Sequence, residues 1–421
     1  MPMKDAPVAP DMVCLSHLRW NFVYQRPQHL MSRFARNRRV FFVEEPVFDD
    51  GPTRLLVNEP AADVYIIVPH VDNAARGKAA FVLRTLLDML FVERNIAQYV
   101  LWYYTPMALS FTQHLLFSTE RAPAAVVYDC MDELSNFDGA PPALKGFESR
   151  LLLHADLVMT GGLSLYEAKR HLHPNIHACP SSVDVPHFAN ARLPAPDPND
   201  QQHIARPRLG FFGVIDERMD LEITHGVAAA RPEWQMVIIG PVVKINADVL
   251  PRRPNIHYLG SKTYDALPDY IRGWDVALLP FAHNDATRFI SPTKTPEYLA
   301  AGKPVVSTSI ADVVKPYGES GLVRIADTVD GFVEAVEQAL IEDHPEHIRR
   351  SDSFLAAMSW DATWRRMEQL LNAAIVTRAS KKPAANPSFV DNPASTENLN
   401  MGSWACGVAQ GPERPERNSD V

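Results

Sequence analysis

The stretch "DVALLPFAHNDATRFISPTKTPEYLAAGKPVVST", residues 275–308, contains a strand, a helix and a second strand in succession. The ranges 275–281 and 303–308 contain the continuous apolar runs VALLPF and PVV, which are typical of strands that are buried on both faces of a parallel sheet. The alternation of such strands with helices predicts an α/β domain.

The helix in this unit has recognisable start and stop signals. Pro296 is accepted only in the first turn of a helix, so the helix begins between Thr293 and Thr295. It runs to about Ala301, and Gly302 suits the left-handed position that follows a helix. Because this helix start follows a strand end, it lies where open α/β domains bind ligands.

The same rhythm extends through most of the chain. Apolar runs begin near residues 12, 40, 64, 99, 125, 156 and 175, and a second series begins near 208, 235, 255, 275, 303 and 321. Helical segments separate these runs, so we predict two doubly wound α/β domains of similar size.

Polar, proline-rich composition separates the two series and also follows the last helix. We predict a first domain over 1–190, a linker over 191–208, a second domain over 209–358, a terminal helix over 359–377 and a disordered tail over 378–421.

Composition excludes several classes of protein. The 421 residues have a formal net charge of -9, which argues against nucleic acid as the main partner. The four cysteines lie far apart, and no secretory signal or membrane-spanning run is evident, so we expect a cytoplasmic protein. Acidic spacings indicate no metal site, and His171 and His173 precede Pro174 in a predicted loop, so we predict neither metal nor cofactor.

The predicted helix start also has the chemistry of an anion site. The amides that are candidates to stay unpaired there are those of Thr293, Lys294, Thr295 and Glu297. The helix dipole favours an anion such as a diphosphate, and the Lys294 ammonium would add a full positive charge. Glu297 can accept hydrogen bonds from ribose hydroxyls. Alternatively, Glu297 only complements the dipole and Lys294 is only solvated.

Several segments together resemble one known family. They are "PTKTPEYLAAGKPVVST" at 292, "LGFFGVIDER" at 209, "VIIGP" at 237, "NIHYLG" at 255 and "SSVDVPHF" at 181. They are similar to segments of the retaining, nucleotide-sugar-dependent glycosyltransferases of family 4, often called group 1, which have the GT-B fold. The segment "CLSHLRWNFVYQRPQHLMSRFA" at 14 resembles a bacterial branch tied to cell-surface polysaccharide assembly. The resemblance implies two Rossmann-like domains that face each other across a cleft.

The resemblance also implies roles for residues at the helix start. In that family the glutamate ahead of the apolar helix binds the nucleotide ribose, a role that carries to Glu297. The residues that would face the diphosphate are Ser291, Thr293, Lys294 and Thr295. The family usually has another glutamate eight positions earlier, which contacts the donor sugar, but this chain has Phe289 there. Asp285 or Asn284 in the preceding loop is a candidate substitute.

A basic pair after the first strand of the second domain normally grips the diphosphate in this family. Arg218 is the nearest match, and the lysine that usually follows is absent. Lys244 and Arg288 are candidates to supply the missing charge, although each of them is equally compatible with a solvated surface position. We expect Arg218 and Lys294 to stabilise the departing diphosphate.

The first domain lacks the glycine-rich loop that members of the family often have after their first strand. Its loop "SHLRWNFVYQRPQHL" instead supplies candidate acceptor-side residues, which are His17, Arg19, Trp20 and Arg26. The alternative is that the loop only begins a helix and carries ordinary surface residues. Asp129 and Asp132 end a predicted strand, and we favour Asp132 as a contact for an acceptor hydroxyl or the donor sugar. Both are also common turn residues.

Four arginines, Arg33, Arg36, Arg38 and Arg39, cluster at the end of the first predicted helix. One interpretation is peripheral contact with an anionic membrane, at the inner face of the plasma membrane, where a lipid-linked acceptor would reside. The other is a solvated helix end, where arginine complements the dipole.

These residues and the resemblance imply a glycosyltransferase of the hexosyltransferase type. It would move a sugar from a nucleoside diphosphate sugar to a saccharide or lipid-linked acceptor, with retention, in cell-surface polysaccharide synthesis. Two alternatives stay open. One is a nucleotide-sugar 2-epimerase, which shares the two-domain fold, and the other is a non-catalytic sugar-nucleotide-binding subunit, which Phe289 keeps under consideration.

Overall fold

The structure is a computed structural model that describes residues 9–118 and 120–381. The first sheet contains β1 (Asp11–Leu15), β2 (Val40–Val43), β3 (Val47–Asp49), β4 (Arg54–Ala61), β5 (Val64–Asp72), β6 (Tyr99–Tyr103), β7 (Ala125–Cys130), β8 (Leu157–Thr160) and β9 (Ile176–Ala178). The second sheet contains β10 (Arg208–Phe212), β11 (Gln235–Ile239), β12 (Ile256–Tyr258), β13 (Val276–Leu279), β14 (Val305–Ser307) and β15 (Val323–Ile325). The helices are α1 (Arg26–Phe34), α2 (Ala79–Glu93), α3 (Leu109–Leu116), α4 (Leu144–His154), α5 (Leu163–Lys169), α6 (Val185–Ala189), α7 (Leu221–Ala230), α8 (Leu267–Arg272), α9 (Lys294–Ala300), α10 (Ala311–Val313), α11 (Val329–Leu340), α12 (His344–Leu355) and α13 (Trp360–Ser380).

The first sheet has the strand order β3-β5-β2-β1-β6-β7-β8-β9, with β4 antiparallel to β5 and the other pairs parallel. Every strand predicted in this half is present. The strands β3 and β4 were not predicted, because most of β4 is exposed and its sequence, with Asn58, Glu59 and Pro60, has no continuous apolar run.

The second sheet is fully parallel, in the order β12-β11-β10-β13-β14-β15. The chain order reverses between β10 and β13, and ligands of open α/β sheets bind in the crevice at such a point. Helix α9 begins at Lys294, within the predicted limits, and Gly302 has a φ of 74°, as expected of a left-handed residue after a helix. The parallel sheets and covering helices confirm the predicted α/β class.

The chain crosses between the two domains twice. Cys179 lies in the core of the first domain and Val183 in that of the second, and the return crossing lies between Leu355 and Trp360. The first crossing therefore precedes the boundary predicted at 190. The predicted linker packs on the second domain, since Gln201 is buried and accepts a hydrogen bond from an indole of that domain at 3.0 Å.

The arginine cluster of α1 is used inside the protein. Arg36 lies 2.6 Å from Asp361 at the start of α13, and Arg38 lies 3.2 Å from Glu368 on the same helix. Arg33 also pairs with Asp361, and Arg39 pairs with Asp11 of β1. The pairs of Arg33, Arg36 and Arg38 fix α13 against the first domain, and Arg39 is paired within that domain. The four charges therefore do not form the free basic face that the membrane interpretation requires. No helix in residues 9–118 and 120–381 is long and apolar enough to cross a membrane.

The structure describes the predicted terminal helix and the first residues of the predicted tail, up to residue 381. Helix α13 extends to Ser380, three residues beyond the predicted end at 377. The remainder of the predicted disordered tail, including Cys406, lies outside the described residues. The other cysteines, Cys14, Cys130 and Cys179, are buried free thiols.

Candidate active site in the cleft between the domains

The loop after β10 holds a cation at the carboxyl edge of the second sheet. Arg218 donates from Nε and Nη2 to the two carboxylate oxygens of Asp216, at 2.9 and 2.6 Å. Asp216 is 4% exposed, whereas 26% of the Arg218 side chain is exposed. The buried carboxylate therefore orients the guanidinium and leaves part of it accessible to a ligand.

Helix α9 brings Lys294 to the same edge. A β-carbon on Gly213, just after β10, would lie 2.1 Å from Lys294 Cε, and Gly213 has a φ of 147°. Only glycine meets both conditions, so it makes the space through which Lys294 reaches the Arg218 loop. The Tyr298 hydroxyl accepts a hydrogen bond from the Phe212 amide at 3.0 Å, which fixes α9 against β10.

Lys294 and Glu297 perturb each other electrostatically. Burial lowers the pKa of Lys294, and the Glu297 carboxylate opposes that shift. Burial raises the pKa of Glu297 to about 7, with the positive charge of Lys294 acting in the opposite direction. Perturbed titratable groups of this kind concentrate at functional sites. The pair combines a cation suited to a phosphate with a carboxylate suited to hydroxyl groups.

The predicted set of unpaired amides at this helix start is only partly present. Thr293 already has helical dihedral angles. The amides of Thr295 and Glu297 donate to the carbonyls of Pro292 and Thr293, at 3.2 and 3.3 Å, so the prediction that both stay free was wrong. The Thr295 side chain is fully buried, and its hydroxyl has no hydrogen-bond partner within the described residues, so its contact with a diphosphate stays a prediction. An extra turn ahead of α9 uses these donors, and Thr293 stays a prediction.

Lys244, which follows β11, completes a group of three cations. Its Nζ lies 3.2 Å from Glu217 and 4.9 Å from the ring centroid of Phe137. The guanidinium carbon of Arg218 lies 5.5 Å from the same ring. Phe137 belongs to the first domain, so one aromatic side chain covers two cations of the opposite domain.

Asp132 approaches the cations from the first domain. Burial raises the pKa of its carboxyl, and the charges of Arg218 and Lys294 are among those that lower it. The Asp132 carboxyl therefore lies within electrostatic range of both cations, and its catalytic role stays a prediction.

Asp285 and Arg288 lie at an exposed rim of the second domain. The Asp285 carbonyl accepts a hydrogen bond from Asn136 of the first domain at 3.1 Å, and the Arg288 guanidinium lies 5.2 Å from the Phe289 ring. Phe289 packs against the core of the first domain. The position where the family usually has a glutamate is thus a contact between domains. Asp285 and Arg288 stay predictions as ligand residues.

Arg26 is a structural residue rather than an acceptor-side residue. Its Nη2 lies 2.8 Å from Asp129, and the two side chains are 1% and 0% exposed. Because the guanidinium is enclosed by the first domain, it cannot meet an acceptor, and that prediction was wrong. The same pair explains why Asp129 does not reach the cleft.

The other acceptor-side candidates differ in how far their side chains are engaged by neighbouring groups. Arg19 donates to the Glu44 carboxylate at 2.9 Å and to the Glu45 carbonyl at 2.6 Å, and Trp20 packs edge-on against an aromatic ring of β2. His17, at the end of β1, is 5% exposed, and burial lowers its pKa to about 4. Burial therefore keeps the imidazole neutral, and the charge of Lys244 in the second domain also contributes to the lowered pKa.

Ser291 lies at the boundary between the two domains. A β-carbon on Gly162 of the first domain would lie 2.8 Å from the Ser291 side chain. Ser291 therefore borders the first domain, and its contact with a diphosphate stays a prediction.

Two residues of the site were not predicted. Asp216 stands two positions before Arg218, so its ability to hold that arginine was visible in the sequence. Phe137 gave no signal, because its position over the cations depends on how the domains pack. Within the described ranges, no group of three His, Cys, Asp or Glu side chains is arranged to hold a metal ion. Both ring nitrogens of His173 are engaged by backbone groups.

Comparisons with known proteins agree with this architecture. Residues 206–343 match the family model described as "Glycosyl transferases group 1". Over 312 residues, the chain is 26% identical to the "Putative teichuronic acid biosynthesis glycosyltransferase TuaH" of Bacillus subtilis (strain 168), covering 68% of this chain and 75% of that protein.

Solved structures show the same two-domain fold. A sucrose-phosphate synthase from Thermosynechococcus elongatus superimposes with a TM-score of 0.65 at 12% identity, over 88% of this chain and 100% of that chain. The structure described as "Trehalose-6-phosphate from E. coli bound with UDP-2-fluoro glucose" has a TM-score of 0.63 at 12% identity, over 89% and 100%. The group 1 match over residues 206–343, the similarity to the Bacillus subtilis protein and the shared fold together support a GT-B glycosyltransferase.

Proposed function

We propose that this enzyme moves a sugar from a nucleoside diphosphate sugar, held by the second domain, to a saccharide or lipid-linked acceptor presented by the first. The observation that supports this most strongly is the grouping of Arg218, Lys244 and Lys294 beside Glu297 at the point where the second sheet reverses its strand order. Three cations suit a diphosphate, and the adjoining carboxylate suits paired ribose hydroxyls.

The cations would act mainly on the departing diphosphate. As the glycosidic bond loosens, negative charge builds on the leaving oxygen, and preorganised cations stabilise it without reorganisation. Asp216 and Glu217 hold two of them in place before the donor binds. Phe137 limits the access of water from the side of the first domain, which favours transfer over hydrolysis.

Asp132 and His17 would lie on the acceptor side of the reacting centre. Asp132 is positioned to accept a hydrogen bond from a sugar hydroxyl, and the neutral imidazole of His17 can do the same. No covalent protein nucleophile is required, and we propose retention of configuration at the transferred sugar.

The biological setting that we propose is cell-surface polysaccharide synthesis in the cytoplasm. Its support is the name of the Bacillus subtilis relative, which refers to teichuronic acid biosynthesis. A lipid-linked acceptor would bring the enzyme to the membrane through the acceptor itself, since the α1 arginines are paired within the protein.

The proposal is tested with a panel of UDP-, GDP- and dTDP-sugars, each with and without a polysaccharide or lipid-linked acceptor fraction. Transfer predicts that free nucleoside diphosphate appears only when the acceptor is present, and NMR of the product reports the configuration. An isomerised donor would indicate the epimerase alternative. Binding without turnover would indicate a non-catalytic subunit. This alternative is included because the chain has Phe289 where the family usually has a glutamate.

A further inference from the structure

A carboxylate of the second domain binds the backbone of the first. Asp312, in α10, accepts hydrogen bonds from the amides of Leu163 and Ser164 at 2.9 and 2.8 Å. These amides begin α5, whose preceding residue Gly162 has no side chain to occupy them. Asp312 therefore supplies, from the opposite domain, the cap that a local serine or aspartate normally provides.

The fit around this contact is close. Asp312 is 6% exposed, and a β-carbon on Gly162 would lie 2.1 Å from its Oδ2. Gly162 has an extended backbone, with φ of -154°, so its small size, rather than its conformational freedom, is what the contact requires. Any side chain at that position would hold the two domains apart.

The space above Gly162 also adjoins the donor side of the cleft. A β-carbon on Gly162 would lie 2.8 Å from the Ser291 side chain, and Ser291 stands three residues before Lys294 in the loop that enters α9. Closing the domains on Asp312 therefore packs this loop against the first domain.

We propose that Asp312, received by the α5 amides and the space above Gly162, is the latch that holds the two domains closed. The latch holds the acceptor domain against the donor domain and is a positioning device rather than part of the reacting groups. This last part rests on the proposed function, whereas the closure itself does not.

Single-molecule FRET on the full chain tests the latch. Dyes are attached to cysteines introduced at the exposed positions Lys145 and Glu319, one in each domain, in a Cys406→Ser background. Asp312→Ala removes two charge-assisted hydrogen bonds and should raise the ratio of open to closed molecules by at least roughly tenfold. Gly162→Ala, which leaves Asp312 intact, should have the same effect by steric blockage.

Asp343→Ala is the matched control, because Asp343 caps α12 within a single domain by bonding the Glu346 amide at 3.1 Å. It should lower the melting temperature slightly and leave the open-to-closed ratio unchanged. Wild-type FRET distributions in both latch variants would overturn the proposal.

Kinetics separate this proposal from the proposed function. With an active wild-type enzyme, kcat of Asp312→Ala should fall in proportion to the closed fraction, while the affinity for a nucleoside diphosphate stays within about twofold. Opening of both variants in a protein that transfers no sugar would support the latch and refute the function. Sugar transfer by the wild type, with no opening in either variant, would support the proposed function and refute the latch.

Discussion

Replacing Arg218 by alanine tests whether the cation group acts on the leaving diphosphate. Removing one preorganised charge that stabilises developing negative charge typically costs about 3 kcal/mol, or roughly 100-fold to 1000-fold in kcat. The same change leaves Asp216, 4% exposed, without the guanidinium that binds both of its oxygens. That loss should reduce the free energy of unfolding by about 1–3 kcal/mol.

A second variant separates the two effects. Arg218→Ala combined with Asp216→Asn removes the unpaired buried charge, so the free energy of unfolding should recover while kcat stays low. Arg324→Ala is the matched control, because Arg324 pairs with Glu342 at 2.6 Å in the same domain and is 27% exposed, close to the 26% of Arg218. It should lose stability and keep its activity.

The assay is the steady-state release of nucleoside diphosphate at saturating acceptor, with urea unfolding of each variant measured in parallel. If the double variant regains kcat along with its stability, Arg218 acts only on the fold and its role at the leaving diphosphate is refuted. The role of Arg218 at the diphosphate is also refuted if Arg324→Ala loses as much activity as Arg218→Ala.

The remaining predictions concern other parts of the cleft and of the first domain. The pKa of Glu297 is raised to about 7 by burial, and its ionised form accepts ribose hydroxyls, so affinity for the nucleotide sugar should rise roughly tenfold between pH 6 and 8. Calorimetry should show this rise in the wild type, and its persistence in Glu297→Gln would contradict the assignment. Phe137→Ala uncovers two cations and should increase acceptor-free hydrolysis of the donor severalfold; an unchanged hydrolysis rate, matching that of the exposed control Phe81→Ala, would count against this cover. Arg26→Met leaves Asp129 buried and unpaired, which should cost about 3–5 kcal/mol in urea unfolding. Adding Asp129→Asn should restore most of that loss with an unchanged KM for the acceptor; an altered KM would return Arg26 to the acceptor side.

The fold was predictable because its signals are local. Continuous apolar runs gave the strands of both sheets, and Pro296 and Gly302 bracketed α9 within a residue or two of its observed ends. The exposed strand β4 was not predicted, since a strand that buries little apolar surface has no hydrophobic pattern in its sequence.

Site residues could be predicted only where their position depends on nearby sequence, such as a strand end or a helix start. Arg218, Lys294 and Glu297 follow strand ends or a helix start, and the structure brings them together. Arg26 was misplaced, because its partner Asp129 is 103 positions away in the sequence. Pairing at long range decides whether a polar residue is buried or available, and a local pattern does not contain that information.

We propose that the second domain binds the donor diphosphate between Arg218 and Lys294, with the ribose on Glu297. A crystal structure with the nucleoside diphosphate that the donor panel identifies would test this binding mode. We predict phosphate oxygens within hydrogen-bond distance of both cations and ribose hydroxyls on the Glu297 carboxylate. A nucleotide bound in the first domain, or one whose diphosphate points away from Arg218 and Lys294, would show that the donor site is assigned wrongly.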